Sequence, residues 1–408
     1  MISENAKYWI LLTKAVGYNT PKIKKLYKKY HNIASFIEGG EREWRLCGIL
    51  NSIDIERLSK LSMDYPAAVL SRCRALGYSV LTIDDMDYPS RLYNIYAPPA
   101  VLYIDGRLPD FDDSLCVGIV GTRRASRYGV ANSYKIAYSL CKYGVTVVSG
   151  GALGVDCASH RGALAADGVT VCVRGCGINS RYLPDNMQMR RSIARRGAVI
   201  SEYPPDEEPR PYYFPARNRI IAALSDGVLL IEAGEKSGSL ITADLALEMG
   251  RELFALMGNN SPQNNGSNGR IKEGTAVPVT DFMDILAAFD RFNGDESEIF
   301  FDSSLNKDID AVPVKKQPEE SGGEEEKQPK PRQSRRKKPT AAPPKTKPNI
   351  TLNGDSKLVF DRLTEEPVRI DIIADDLGIS VSRALSALTF LEMNGLIRVL
   401  PGRYFALK

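Results

Sequence analysis

Between residues 116 and 257 short β-branched runs alternate with helical stretches, and glycines gather where the runs end. The runs are 116–120, 145–149, 169–173, 198–201, 227–232 and 253–257, with helices expected over about 127–143 and 155–166. Parallel strands need a crossover connection, and a helix is the usual one. The alternation therefore predicts an α/β fold, a doubly wound and mostly parallel sheet covered on both faces. Runs at 80–83 and 101–104 are expected to extend that sheet. Ligands of such sheets bind beyond the carboxyl ends of the strands. Four segments sit there.

The first is Gly118–Ile119–Val120–Gly121–Thr122–Arg123–Arg124. Gly121 allows a sharp turn and close approach of backbone to a ligand, and Arg123 and Arg124 reach anionic oxygens. No full G-x-G-x-x-G is present, which argues against a dinucleotide site. The second is Ser149–Gly150–Gly151–Ala152–Leu153–Gly154–Val155–Asp156, where successive glycines are expected to form a nest of N–H groups at a helix start. Asp156 and His160 share a helix face, and a structural role is expected for both. The third segment runs from Phe214 through Pro215 to Ile221. Pro215 suits a first helical turn, which sets Arg217 and Asn218 near the N-terminal dipole. In the fourth, Lys236, Ser237, Gly238 and Ser239 follow a strand and open a helix, so cation, hydroxyls and N–H groups are expected to face one phosphate. Glu235 precedes Lys236 where a Walker A loop has glycine, so ATPase chemistry is not expected.

Together these loops offer glycines, hydroxyls and cations at one rim, without an activated nucleophile, paired carboxylates or a metal-ligand cluster. Phosphate recognition without catalysis is the chemistry they supply, and no cofactor or metal is expected. Few aromatics are evident in the loops, so base stacking is expected to contribute little. The only histidines are His31 and His160, which excludes an imidazole-rich metal site. Seven cysteines without a C-x-x-C pair read as reduced thiols in a cytoplasmic protein. No apolar run is long enough for a transmembrane helix.

The flanks differ. Residues 1–78 read as a small helical domain of the helix-hairpin or sterile-alpha-motif kind, ahead of the Rossmann-like domain at 79–295. Residues 303–350 hold eight prolines between Pro313 and Pro348, and an acidic patch followed by nine cations from Lys327 to Lys347. Such a segment buries too little apolar area to fold and is expected to be a disordered tether. Residues 355–408 read as three helices and a hairpin, the winged-helix pattern. Seven basic and eight acidic side chains in that stretch give it a net charge of −1. A regulator that reads duplex DNA through this domain is therefore disfavoured.

The run from Phe214 to Gly258, FPARNRIIAALSDGVLLIEAGEKSGSLITADLALEMGRELFALMG, resembles the DNA-processing protein A (DprA/Smf) family. VGIVGTRRAS, SGGALGVDCASHRGAL and NNGSNGRIKEGTAVPV match its other motifs. The resemblance implies a protein that binds single-stranded DNA during natural transformation, protects it and helps load the RecA recombinase. It also implies a homodimer formed through the Rossmann-like domain. By that resemblance Gly121, Thr122 and Arg123 look like the glycine–arginine phosphate site, and Ser149, Gly150, Arg217, Asn218 and Lys236 to Ser239 like the rest of the groove; Gly151 is added to the DNA-binding set as part of the glycine nest. A rival reading is a nucleoside-monophosphate phosphoribohydrolase. Those enzymes carry a proline–glycine–glycine loop and a following catalytic glutamate. Here EAGEKSGSLITAD lacks the loop, and Asp244 is the nearest downstream acid.

Overall fold

The computed structural model describes residues 2–289 and, in the C-terminal part, residues 355–407 apart from 365, 367, 380–382, 385–386, 389, 392–395 and 401–403. The expected tether at 303–350 lies outside the described residues. Two compact units result, one holding residues 2–289 and one the C-terminal residues.

The chain begins with α1 (Ala6–Val16), α2 (Lys22–Lys29), α3 (Ile33–Glu38), α4 (Gly40–Leu46), α5 (Ser52–Ser59) and α6 (Asp64–Leu76). Asn51 and Asp54 close a capping box on α5, which satisfies two N–H groups that the helix itself leaves open. Gly77, at φ 74°, ends α6 in the left-handed conformation that glycine enters without strain. Trp9, Leu12 and Leu26 are fully buried, in the same apolar cluster as Leu102 and Val173 of the sheet. Element type changes at residue 79 as expected, but no break in the core accompanies it, so the helical domain and the sheet form one packed unit.

The sheet then forms from β1 (Ser79–Thr82), β2 (Val101–Gly106), β3 (Cys116–Val120), β4 (Thr146–Ser149), β5 (Thr170–Arg174), β6 (Ala198–Ser201), β7 (Gly227–Leu230), β8 (Glu252–Leu256) and β9 (Val277–Val279). Between β1 and β2 lies the one-turn α7 (Ser90–Tyr93). After β3 come α8 (Arg127–Lys142), α9 (Val155–Ala165), α10 (Met187–Arg196), α11 (Tyr213–Leu224), α12 (Gly238–Glu248), α13 (Asn265–Lys272) and α14 (Phe282–Ala288). The spatial order is β1-β2-β6-β5-β4-β3-β7-β8-β9. Only β2 runs against its neighbours, pairing antiparallel with both β1 and β6. Every residue of β3 to β7 is buried. On β3, Cys116 and Val120 join one apolar cluster while Val117 and Ile119 join the other. Covering both faces is what lets these strands read as unbroken apolar runs.

The winding away from β3 proceeds through β4, β5 and β6, then α11 brings the chain back to place β7 on β3's other side. The switch point of the sheet therefore lies between β3 and β7, with their carboxyl ends side by side. The strand β9 was not expected: it is three residues long and contains Pro278, which normally demotes a strand to an edge.

The C-terminal unit contains helices over Asp355–Arg362 and Ile370–Leu377. Its sheet has the order Val368–Arg369, Tyr404–Leu407, Ile397–Leu400, all antiparallel. The described residues of the third helix bury Ala384, Ala387, Leu388 and Leu391 against Val359, Ile373 and Phe405; Leu385 lies outside the described residues. The architecture is a winged helix.

Candidate nucleic-acid interface

A cleft of about 630 Å³ opens at the switch point. Its walls are the turn after β3, the loop after β4, the start of α11 and the start of α12. Gly121 begins the first wall. A Cβ there would lie 2.6 Å from Val155 Cγ2 and 3.1 Å from the Glu232 carbonyl, so glycine lets the turn pass without displacing Val155. The Thr122 N–H donates to the Glu232 carbonyl at 2.8 Å, which ties the β3 and β7 ends together. The Glu232 carboxylate is not free for chemistry. It accepts from the Ser126 N–H at 2.8 Å and from the Ser126 hydroxyl at 2.5 Å, and so pins the start of α8.

Arg123 is exposed and lies over the Phe214 ring, 5.3 Å from guanidinium carbon to ring centroid. Tyr182 packs beside Phe214, with centroids 5.1 Å apart and planes tilted by 49°. Both rings line the cleft. This corrects the expectation of few aromatics. Phe214 was visible in the third segment, next to Pro215. Tyr182 comes from the irregular loop between β5 and α10, which carried no periodic signal. Its neighbours Leu183–Pro184–Asp185–Asn186 were the available clue, as a turn-forming run after a strand.

The second segment is also corrected. Its glycine-flanked N–H groups face an internal anion. Asp156 Oδ2 accepts from the Ala152 N–H at 3.3 Å, and the Asp156 carboxylate is buried. Burial raises the Asp156 pKa, with the nearby Arg217 charge acting the other way. Ser149 is fully buried in the sheet, and its hydroxyl donates to the Ile119 carbonyl at 2.7 Å. It has no surface to offer a ligand. Gly150 is covered by Arg217, whose Nη2 would lie 2.5 Å from an added Cβ. The Gly151 carbonyl accepts from Asn186 Nδ2 at 3.3 Å. His160 is fully buried, with Nδ1 2.8 Å from Thr170 Oγ1, a packed role as expected.

Arg217 lines the cleft but is buried. It donates to the carbonyls of Gly150, at 2.8 Å, and Val173, and its Nε donates to Asn218 Oδ1 at 3.2 Å. Burial lowers its pKa, and Asp156 opposes that shift. Arg217 thus works first as a brace that joins α11 to the ends of β4 and β5. Asn218 also lines the cleft, and its amide reaches the Gly238 carbonyl at 3.5 Å. Ser237 caps α12, and its hydroxyl lies 2.7 Å from that of Ser239. Ser237, Gly238 and Ser239 are in the lining; Arg124 and Lys236 are exposed but outside it. The structure therefore gathers Gly121, Thr122, Arg123, Arg217, Asn218, Ser237, Gly238 and Ser239 at one cleft. It leaves Arg124, Ser149, Gly150, Gly151 and Lys236 off the lining.

Residues 79–290 match the family described as DNA recombination-mediator protein A, and residues 342–403 match the DprA winged helix domain. Protein Smf of Synechocystis sp. is 31% identical over 420 residues, which is 98% of each chain. The chain belongs to the DNA recombination-mediator protein A family. DNA processing protein DprA of Bacillus subtilis is 40% identical over 191 residues, 47% of this chain and 64% of its own length. The X-ray structure of DprA from Streptococcus pneumoniae superimposes with a TM-score of 0.61 at 33% identity, covering 69% of this chain and 97% of that one. Within this family member all seven cysteines are buried and free. Among the described residues no cluster of His, Cys, Asp and Glu is arranged to hold a metal, and no helix is long and apolar enough to cross a membrane.

Proposed function

We propose that the cleft binds single-stranded DNA without cutting or modifying it, in the cytoplasm, and that the bound strand is protected and passed to the RecA recombinase during transformation or recombination. A homodimer formed through the Rossmann-like unit is part of this reading, because it would set two clefts along one strand. The observation that carries it is the Arg123–Phe214–Tyr182 group at the switch point. A cation beside two aromatic faces suits a chain that alternates phosphates with unpaired bases. Duplex DNA hides its base faces and cannot use the rings. Membership in a DNA recombination-mediator family supports the same reading.

The phosphoribohydrolase alternative needs a carboxylate in the cleft after α12 begins. Asp244 instead pairs with Arg270 and lies outside the cleft lining. The regulator alternative needs a cationic recognition helix, which the tail's net charge of −1 does not favour.

Fluorescence anisotropy on a labelled oligothymidine tests the proposal, with wild type compared to Arg123→Ala and Lys236→Ala, and duplex as competitor. Tight binding that duplex does not displace, weakened strongly by Arg123→Ala, is the expected result. Lys236→Ala, off the lining, is expected to weaken it less. Affinity should fall with salt at a logarithmic slope of about −0.7 per phosphate contacted. A flat salt response, or binding untouched by both substitutions, would move the DNA site away from this cleft.

A further inference from the structure

Five of the eight residues of α2 are lysine, and none is acidic. That composition works against the helix. Lys22 and Lys24 stand in the first turn, where the helix dipole disfavours cations, and Pro21 supplies no side-chain cap. Lys24 and Lys28, and Lys25 and Lys29, are one turn apart, a spacing at which like charges repel. Elsewhere among these helices an acid answers the cation at that spacing: Arg45 pairs with Glu41, and Lys60 with Glu56. What holds α2 in place is the burial of Ile23 and Leu26.

Three of the five lysines are used inside the fold. Lys22 pairs with Asp54 at 2.5 Å, and Lys29 donates to the Cys47 carbonyl at 2.9 Å. Lys24 donates to the carbonyls of Asn94 and Ile95, both at 3.0 Å. Lys25 and Lys28 are exposed, and among the described residues neither pairs with a carboxylate. Their surroundings are aromatic. Lys24 lies over the Tyr93 ring at 5.2 Å, and Tyr27 stands edge-on to Tyr93 with centroids 5.7 Å apart. Tyr96, just past the carbonyls that hold Lys24, is exposed.

This face begins beside the cleft and leads away from it. Tyr18, in the turn before α2, packs edge-on to Tyr213 with centroids 5.8 Å apart, and Tyr213 precedes Phe214 of the cleft lining. From there α2 runs about 12 Å, at 1.5 Å per residue, towards α7. Arg91 of α7 donates to the Leu224 carbonyl and to Asp226, just ahead of β7. The cleft opens at the carboxyl end of β7, and α7 sits at its amino end.

We propose that Lys25 and Lys28, with Tyr96 beside them, form a second contact surface for single-stranded DNA, which carries the backbone of the strand onward from the cleft along α2. The inference rests on the single-strand reading of the cleft and extends it to the amino-terminal helices. The polyanion supplies the negative charge that α2 lacks in its own sequence, and an exposed ring among cations suits an unpaired strand. At about 3.4 Å per stacked nucleotide, roughly four nucleotides cover α2.

Anisotropy titrations test this with two oligothymidines, one of about six nucleotides, at the small end of single-strand site sizes, and one several times longer. The double variant Lys25→Gln, Lys28→Gln should weaken binding of the long strand on the order of tenfold at about 0.1 M salt. Its logarithmic salt slope should become shallower by about 1.4, two contacts at about 0.7 each. Binding of the short strand should stay within about twofold of wild type. Tyr96→Ala should weaken the long single strand several-fold and leave a long duplex unaffected. The urea midpoint of the double variant should equal or exceed that of wild type, because repulsion is removed; lysines that served the fold would lower it. Unchanged affinity and slope on the long strand would overturn the surface. Equal weakening of both strands would overturn it too, since the lysines would then act through the long-range field. Weakening confined to long duplex would overturn the single-strand assignment of α2. If the lysine variant weakens neither strand while Arg123→Ala weakens both, the cleft stands and this surface falls. If the long strand is lost in the lysine variant but indifferent to Arg123→Ala, the reading of the cleft falls, and with it the continuity proposed here, while the contact at α2 stands.

Discussion

Among the clefts of the unit of residues 2–289, two of similar size carry opposite charge. The one at the switch point encloses about 630 Å³ and is lined by Arg123 and Arg217 against the single carboxylate of Asp156. The other, at the β1–β2 edge, encloses about 730 Å³ and is lined by Asp85, Asp87, Asp110 and Asp112 against Arg107. Volume does not distinguish them. What the charges are already doing does. Asp85 accepts from the Thr82 N–H at 2.6 Å, Asp110 from the Asp112 N–H at 3.0 Å, and Asp112 from the Ser90 hydroxyl at 2.8 Å. Asp85 and Asp110 stabilise turns, as aspartates commonly do, and Asp112 ties its loop to the start of α7. At the switch point Asp156 and Arg217 are likewise spent inside the wall, while Arg123 stays exposed on an aromatic face. A cleft becomes a site where charge is left over after the fold has been satisfied.

The largest expected effect breaks this comparison if it fails. Arg123→Ala should weaken binding of single-stranded DNA by ten- to a hundredfold, since a hydrogen bond to a charged group contributes about 1.5–3 kcal/mol. Asp87→Asn and Asp112→Asn, in the acidic cleft, should change affinity by no more than about twofold, the scale of exposed charges. Anisotropy titrations at fixed salt measure both. Equal effects from the two clefts would mean that the long-range field of the protein, and not a local contact, governs binding.

Much of this contrast was legible in the sequence. The alternation of strand and helix announced the sheet, and the rule for carboxyl ends pointed to the rim where the cleft opens. Gly121, Arg123 and Asn218 followed from motif and position. The failures share one cause. Ser149, Gly150 and Gly151 look like ligand-binding residues because a glycine nest can hold any anion, and sequence does not say that Asp156 folds back to fill it. Tyr182 was missed because its partner Phe214 is 32 positions away along the chain, joined only by packing. Local pattern reports which groups exist, and tertiary contacts decide which are already satisfied.

Glycines in the two walls sharpen the comparison at the level of stability. Gly106 lines the acidic cleft with φ 98°, and a Cβ there would lie 2.3 Å from the Gly197 carbonyl oxygen and 2.4 Å from that of Ala194. Backbone cannot step aside as a side chain can. At Gly121 the first clash is with a valine methyl, a side-chain atom, and the nearest backbone oxygen is 3.1 Å away. Gly106→Ala should therefore cost about 2–3 kcal/mol and Gly121→Ala about 1 kcal/mol, the upper and lower parts of the range for overpacking. Urea midpoints measure this. Only Gly121→Ala should also weaken DNA binding by the folded protein, because only its wall carries Arg123.

Acid gives the gentlest handle, and it acts on α9, the helix that begins at the cationic cleft with Asp156. His160, on the same helix as Asp156, is fully buried, and its Nε2 has no hydrogen-bond partner. Protonation would put a charge there without an acceptor. Burial first, and the Arg217 charge second, depress its pKa to about 3. An unfolded chain would protonate this histidine near pH 6.5. As pH falls below that point the unfolded state takes up a proton that the folded state refuses. Stability is therefore complete above about pH 6.5 and declines towards pH 3, with a slope of up to about 1.4 kcal/mol per pH unit from this group. Asp156, whose pKa is raised, contributes with the opposite sign, but it does so equally with or without the histidine. The difference between wild type and His160→Gln isolates the histidine, since glutamine keeps a polar contact to Thr170 and does not titrate. Urea midpoints from pH 7 to pH 4.5 should fall more steeply for wild type than for His160→Gln. Parallel curves would mean that water or a shifted side chain reaches Nε2, and that the core around this histidine is less closed than its packing indicates.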